Sequence, residues 1–455
     1  MKKSRRSAWK RWALGSPSAL LLFLWTVMIC SSEPLPKGLS LEDSIQQAFK
    51  ESSTLKAAQE AILGAEFKKK QARSGFLPKL GSQYTYSHID KPPFVRMPAL
   101  NLGGIQIPAS TMIIGTPDIY SLYLTVEQPI FTGLALTRTY ELAELGLDVS
   151  KIKLEQEKLT LAYKVKEAYW NILKAQKIRQ VAEQTVSQIA DHVRVARDFY
   201  QVGLIPLNDL LKSEVQLADA RQTLIKAENH LLLAKSNFNT VLRLPFEKDT
   251  EIQDILSYQP FSPSWEECFQ DALKKRPEIK EIETQITIAQ KNIQLAQSEY
   301  FPQLVLQGRY IKQGDTPSVS GSTFTYGDNW DIIAAVKWNL WEWGRSHYLE
   351  QEKIKVREQV KEALTHIKDL IRLEVKEAYL SLKEAEKNFS VAEKSIQQAE
   401  ENFRISQFRY QEQVATSLEV LDAQTLLTQA KNNLYQALYN YNLAHSRLLR
   451  AMGTW

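Results

Sequence analysis

Cysteine is almost missing: Cys30 and Cys268 are the only 2 in 455 residues, which excludes a disulfide framework and a cysteine-based metal site. Glycine and proline are sparse, with 17 of each. That excludes collagen-like and low-complexity chains, and favours long helices built on the abundant Gln, Glu, Lys, Ala and Leu. Histidine is rare too, 6 in all. His88, His192, His230, His347, His366 and His445 are scattered, and each reads as a surface or seam residue. No Gly-rich phosphate loop, metal-type spacing or triad candidate occurs, so the sequence predicts no enzyme and no cofactor.

A basic surface is also lacking, although the formal charge is +5. Residues 1–32 hold 6 Lys or Arg (Lys2, Lys3, Arg5, Arg6, Lys10, Arg11) and no acid; taking those from 57 leaves 51 basic against 52 acidic residues. The remainder is near neutral, and nothing points to nucleic acid. The basic run precedes an apolar stretch, Ala19 to Ile29, too short for an ordinary spanning helix. Small residues follow at Cys30, Ser31 and Ser32. This order predicts a secretory signal peptide over 1–32, a mature start near Glu33 and a place outside the cytoplasm. A retained anchor is the alternative. Cys30 is a candidate lipidated N-terminus, but Met28 and Ile29 stand where lipoprotein signals resemble a small-residue pattern.

What is present is a repeat. Ser40–Leu80 aligns without a gap on Ser264–Leu304, an offset of 224 residues. The offset then becomes 210: Val165-Lys166-Glu167-Ala168-Tyr169 returns as Val375-Lys376-Glu377-Ala378-Tyr379. A longer loop between Leu80 and Val165 in the first copy accounts for the change. The sequence therefore divides into repeat 1 over 33–244, a linker over 245–263 and repeat 2 over 264–455.

Each copy opens with a predicted amphipathic helix, Ser40 to Gly75 and Ser264 to Glu299. Ser40 with Asp43 and Ser264 with Glu267 read as N-caps with an acid three residues on. Pro78 and Pro302 end these helices. Two strands follow in each copy, read from period-two alternation. They run through Tyr84-Tyr86-His88 and Leu122-Leu124-Val126, then through Leu304-Leu306-Tyr310 and Trp330-Ile332-Ala334-Val336-Trp338. Pro/Gly-rich loops, Lys91 to Pro117 and Gln313 to Gly327, join the members of each pair.

The pattern then turns helical for a long way. Leu161, Val165, Ala168, Ile172 and Ala175 open a 4-3 seam that runs to Tyr200, broken only at Arg179; Ile371 to Tyr410 repeats it. After a turn come heptad rows at Leu210, Leu217, Leu224, Leu231 and Phe238, and at Val420, Leu427, Leu434, Tyr441 and Leu448. This is the packing of coiled-coil helix hairpins. About 65 helical residues at about 1.5 Å each reach roughly 100 Å, which no globular core needs.

Strands of about ten residues match transmembrane β-strands, with aromatics (Tyr84, Tyr86, Tyr120, Tyr123, Trp330, Trp338, Trp341, Trp343) available as interfacial girdles. Four strands cannot close a barrel alone, and an open edge is not tolerated in lipid. Either the strands form a soluble sheet or several chains share one barrel; the secretory signal favours the barrel.

Helix, proline break, strand pair and long helix hairpin, all repeated, resemble the TolC-type outer-membrane efflux channel family over nearly the whole chain after the signal. Glu127-Gln128-Pro129-Ile130-Phe131-Thr132-Gly133 resembles its strand-exit segment, and Lys337-Trp338-Asn339-Leu340-Trp341 through Gly344 the second such segment. Tyr200-Gln201-Val202-Gly203-Leu204 resembles its helix-tip motif. The resemblance implies a mainly α fold with a membrane β-barrel: a homotrimer whose shared 12-stranded barrel crosses outer-membrane lipid and whose hairpins form an α-barrel across the periplasm. It implies a passive exit duct for efflux or type I secretion, docked on a periplasmic adaptor and an inner-membrane transporter. A periplasmic adaptor or a structural coiled-coil protein of the envelope is the alternative.

The two helix turns carry the candidate residues. Glu419 and Asp422 share one face near a helix start, where Thr416 as N-cap and the helix dipole already favour acids. The resemblance makes them a gate at the periplasmic entrance, together with Asp209 and Tyr410. Ala415 stands where related gates carry an arginine, so any lock here must differ. The resemblance also makes Val202, Gly203 and Leu204 an adaptor-docking tip, with Val414, Ala415 and Thr416 as its unlike counterpart; Gly203 read alone supplies only turn freedom.

Overall fold

The computed structural model describes residues 38–455; the expected signal segment over 1–32, the expected mature start near Glu33 and Cys30 lie outside the described residues. Each half opens with a helix pair where one helix was expected. α1 (Leu41–Glu51) and α2 (Ser53–Ser74) are separated at Ser52, whose side chain accepts from Leu55 N and caps α2. α5 (Trp265–Lys275) and α6 (Pro277–Gln297) are separated at Arg276. Pro277 has no N–H for an intrahelical bond, so it sits at the first position of a new helix. A side-chain cap achieves in the first half what proline does in the second. Ser264 and Glu267 complete a capping box. Ser40 caps Asp43 N, and its hydroxyl donates to the shorter Asp43 carboxylate at 2.7 Å.

β1 (Lys79–His88), β6 (Asp118–Thr132), β7 (Gln303–Gly314) and β8 (Asp328–Lys337) form one antiparallel sheet in the order β1-β6-β7-β8. The alternation read to Trp338 and beyond stops at Lys337, opposite Gln303. The residue before Gln303 is Pro302, which has no donor to extend the ladder. Lys91 to Pro117, read as a loop, holds two nested hairpins: β2 (Phe94–Met97) with β5 (Ser110–Ile113), and β3 (Leu100–Leu102) with β4 (Ile105–Ile107). Gly103 and Gly104, both at positive φ (57° and 100°), turn the inner one.

The sheet's two faces differ. A hollow of about 550 Å³ lies against one of them, lined by Gln83, Thr85, Ser121, Thr125, Gln307 and Arg309 among others. Arg309 reaches Asp331 on the neighbouring strand through bonds of 2.9 and 2.6 Å. The alternate residues Leu80, Val126, Leu306, Trp330, Ile332 and Val336 stand exposed on the other face. β1 and β8 are both edges.

Strand passes to helix through two consecutive left-handed residues, Gly133 (φ 62°) with Leu134 (70°), and Trp343 (53°) with Gly344 (80°). At Gly133 a Cβ would come within 2.5 Å of the Ser298 carbonyl oxygen, so no larger residue fits. α3 (Ala135–Gln201) and α7 (Arg345–Gln411) then run for 67 residues each. α4 (Leu207–Leu242) and α8 (Ser417–Ala451) return beside them. α3 packs on α4, α7 on α8, and α3 on α8. The seams are buried at Val165, Ile172, Ala182, Ile189 and Ala196, and at Val375, Leu382 and Tyr410. Two wider cores lie where the short helices dock. Ile45, Tyr169, Ile172 and Phe238 build one, and Cys268, Val375, Leu382 and Leu448 the other. No helix among the described residues is long and apolar enough to cross a membrane.

Candidate functional site at the helix tips

Both hairpins turn in the same way. Val202 N, Gly203 N and Leu204 N donate to Asp198 O, Tyr200 O and Phe199 O at 3.3, 3.0 and 2.8 Å. Glu412, Gln413 and Val414 repeat the three bonds to Phe408 O, Tyr410 O and Arg409 O at 3.0, 3.0 and 2.9 Å. The left-handed corner is Gly203 (φ 75°) in one turn and Gln413 (φ 61°) in the other. Nothing lies within 4 Å of a Cβ built on Gly203, so its surroundings are open. Val202, Leu204 and Val414 are exposed, at 69, 51 and 64 %. One tip is apolar with a glycine corner; the other carries Glu412 and Gln413 before Val414.

Thr416 caps α8, and Glu419 closes the box: Thr416 Oγ1 accepts from Glu419 N at 3.4 Å and Glu419 Oε1 accepts from Thr416 N at 3.5 Å. Glu419 Oε2 also lies 3.4 Å from Arg409 Nη1, and Arg409 Nη2 donates to Val414 O at 3.3 Å. Arg409, at the end of α7, thus supplies a cation beside the turn in which Ala415 offers none. Both side chains of this pair are about half exposed, so its contribution is small. Asp422 is exposed, one turn further along α8, with no ion pair among the described residues. Asp209 lies in the first turn of α4 and pairs with Lys212 at 3.7 Å.

Tyr410 is buried under this surface. Its ring packs on His192 (4.8 Å between centroids) and Phe199 (5.5 Å). Its hydroxyl is buried without a hydrogen-bond partner. Burial first, then the nearby Asp209 carboxylate, raise its pKa above the ordinary phenol value. Next to it runs a buried polar chain. His192 Nε2 meets Ser417 Oγ at 2.7 Å, Ser417 Oγ meets Ser213 Oγ at 2.9 Å, and Ser213 Oγ donates to Asp209 O at 3.0 Å. Burial holds the His192 pKa down at about 4. α3, α4, α7 and α8 therefore join through His192, Ser213, Tyr410 and Ser417, just behind the turns. Of these the sequence singled out only Tyr410. Ser213 lies midway between Leu210 and Leu217 of the heptad row, and a small hydroxyl on a seam was the available signal.

The structure thus brings Tyr410 close to Asp209, and Glu419 close to Arg409. It leaves Asp422 exposed, without an ion pair among the described residues.

The family model described as outer membrane efflux protein matches residues 44–242 and 268–454. A toxin and drug export protein A from Aggregatibacter actinomycetemcomitans is 21% identical over 339 residues, covering 72% of this chain and 71% of that protein. The alkaline protease secretion protein AprF of Pseudomonas aeruginosa is 21% identical over 343 residues, covering 73% and 69%. Among solved structures, the Campylobacter jejuni CmeC outer membrane channel superposes with a TM-score of 0.72 at 16% identity, covering 91% of this chain and 85% of that one. That likeness shows the fold.

Proposed function

This chain belongs to the outer membrane efflux protein family, and from that premise we propose that it is the exit duct of an efflux or type I secretion assembly. It conducts cargo passively from an inner-membrane pump and a periplasmic adaptor to the exterior. The observation that carries this reading is the sheet: one polar hollow face, one exposed apolar face and two unpaired edges. In lipid, edges must be closed. Pairing β8 of one copy with β1 of the next does so, and three copies of a 4-stranded sheet make a 12-stranded barrel. The apolar face then meets lipid and the polar face lines water. Helices of 67 residues extend roughly 100 Å from one end of the barrel, a periplasmic span. The relatives' names, with toxin, drug and protease export, fit such a duct. Neither an adaptor nor a structural coiled coil accounts for the two-faced sheet.

On the same reading, 1–32 is a signal removed on export, and 33–244 and 264–455 are two copies joined by 245–263. Glu419, Asp422, Asp209 and Tyr410 narrow the entrance. Val202-Gly203-Leu204 and Val414-Ala415-Thr416 are unlike adaptor contacts.

Ile332→Arg tests the barrel. Ile332 is 67 % exposed on the apolar face in a central stretch of β8, and a cation at mid-bilayer costs about 2–4 kcal/mol. The expected result is loss of the detergent-resistant trimer on semi-native gels, with the helical content of the chain unchanged. A parent chain that is a soluble monomer needing no detergent, or a variant that keeps the detergent-resistant trimer, removes the reading.

Gly203→Asp tests the tip. Positive φ costs an aspartate about 1 kcal/mol or slightly more, and the open surroundings cause no clash. Trimers should form normally while export falls, because a docked, unpaired charge is costly. Normal export with normal adaptor crosslinking would show that the tip makes no such contact.

A further inference from the structure

The nested hairpins at residues 94–113 have no role in a barrel wall. They leave the sheet at the end opposite the helices, continuing the β1–β6 ladder through Ile89 N to Pro117 O and Ile114 N to Pro93 O at 2.7 and 2.9 Å. Apolar side chains there stay exposed: Leu100, Leu102, Ile105 and Ile107 are 46 to 71 % exposed. Arg96 is the only charged residue between Pro92 and Pro117, and Lys91 stands just before that stretch. An isolated two-stranded hairpin is marginal in water, and an apolar one exposes what a soluble loop would bury.

The register tells which environment fits. Cross-strand partners share a face. In β3–β4, Leu100, Leu102, Ile105 and Ile107 form one apolar face, with Asn101 and Gln106 on the other. In β2–β5 both faces are apolar in part: Phe94 with Ile113 on one, and Val95, Met97 and Met112 on the other. A plug made of three such hairpins would bury the axial face of each and leave the outer face wet. Apolar groups on both faces of β2–β5 call for immersion of that part instead. The hairpin's free edges, however, exclude the hydrocarbon centre, where unpaired N–H and C=O groups are not tolerated. The zone that satisfies both conditions is the headgroup and upper acyl region, which the lipid-facing side of the sheet already borders. Arg96 stacks on Phe94, 5.4 Å from its ring centroid, and presents a guanidinium with no acid on the segment to neutralise it.

We propose that the 94–113 hairpin is a lipid-binding element that lies in the outer leaflet, its apolar side chains among the upper acyl chains and Arg96 on an anionic phosphate headgroup. This rests on the barrel reading above, because the leaflet adjoins the hairpin only if the sheet spans the membrane.

The test uses the full chain, reconstituted in vesicles of phosphatidylethanolamine and phosphatidylglycerol, with an environment-sensitive fluorophore on Ile105→Cys or Ile332→Cys. Buried Cys268 stays unlabelled, and the parent chain carried through the same labelling is the blank. Lipids brominated near the headgroup should quench the Ile105 probe, and lipids brominated deep in the acyl chains the Ile332 probe. Aqueous iodide should quench neither. Arg96→Glu should restore the Ile105 emission in anionic vesicles while leaving trimer and Ile332 signals alone. Quenching at Ile332 but not at Ile105 overturns the hairpin proposal and spares the barrel. Loss of quenching at both removes the barrel reading, and this proposal with it. A disulfide between Ile105→Cys positions of neighbouring copies would mean a plug over the mouth and would also overturn it.

Discussion

Replacing both Glu419 and Asp422 by alanine is expected to raise conductance in planar bilayers and to lower cation-over-anion selectivity by about ten-fold. On the proposed threefold axis each acid becomes a ring of three, and clustered carboxylates focus the field at a constriction. Such rings should hold multivalent cations, so divalent block should weaken in the same variant. The structure separates the two acids. Glu419 is committed to Thr416 and Arg409, so part of its charge is spent on the helix start. Asp422 is exposed and free of any described ion pair. Asp422→Ala alone should therefore take most of the selectivity with little loss of stability. Glu419→Ala should cost about 1 kcal/mol through the lost cap and loosen the α7–α8 turn by freeing Arg409. If the double variant keeps its selectivity and its divalent block, Glu419 is a helix cap and Asp422 a surface acid, and neither forms a gate.

Much of this was legible in the sequence because it is periodic. The heptad rows from Leu210 to Phe238 and from Val420 to Leu448 require hairpins, and their length requires something far longer than a globular core. The alternation at Leu122-Leu124-Val126 carries the apolar face of the sheet. What periodicity hides is punctuation. Pro277 marks the break between α5 and α6, but its counterpart in the first half is Ser52, a residue that caps as readily as it sits within a helix. The hairpins at 94–113 were hidden by Pro92, Pro93, Pro98 and Pro108, which read as loop, although Leu-Asn-Leu-Gly-Gly-Ile-Gln-Ile alternates around a glycine turn. Partners across elements were hidden most. Nothing in the local sequence of His192 shows that Ser417, 225 residues away, meets its ring nitrogen. Arg409 likewise lies in the α7 pattern as one more surface cation, and only the turn geometry sets it beside Glu419.

His192 supplies the second large effect, a loss of tip stability on mild acidification. The ring is 8 % exposed and lies among Ser417 of α8, Ser213 of α4 and Tyr410 of α7, with the Asp209 carboxylate of α4 near Tyr410. Among the described residues no carboxylate touches the imidazole, so a proton on it would be a buried charge bonded to hydroxyls. Burial holds its pKa down at about 4, against an ordinary 6.5. The sign follows from proton counting. Between these two values an opened tip takes up a proton that the closed tip does not, so closure weakens as pH falls. The stability is fully present above 6.5, drains away as pH falls towards about 4 and loses nothing further below that. The whole window is worth roughly 3 kcal/mol per copy, enough to move a joint between two helix hairpins. Amide exchange around residues 196–213 and 406–424, corrected for intrinsic rates, should therefore quicken from pH 7 to pH 4.5 more than exchange near Tyr169 and Phe238. Conductance should rise over the same interval. In His192→Gln, whose amide can still reach Ser417 but carries no titrating nitrogen, both changes should vanish while behaviour at pH 7 is kept. A His192→Gln channel that responds to acid as the parent does would assign the pH response to other groups, the exposed acids of the proposed entrance foremost.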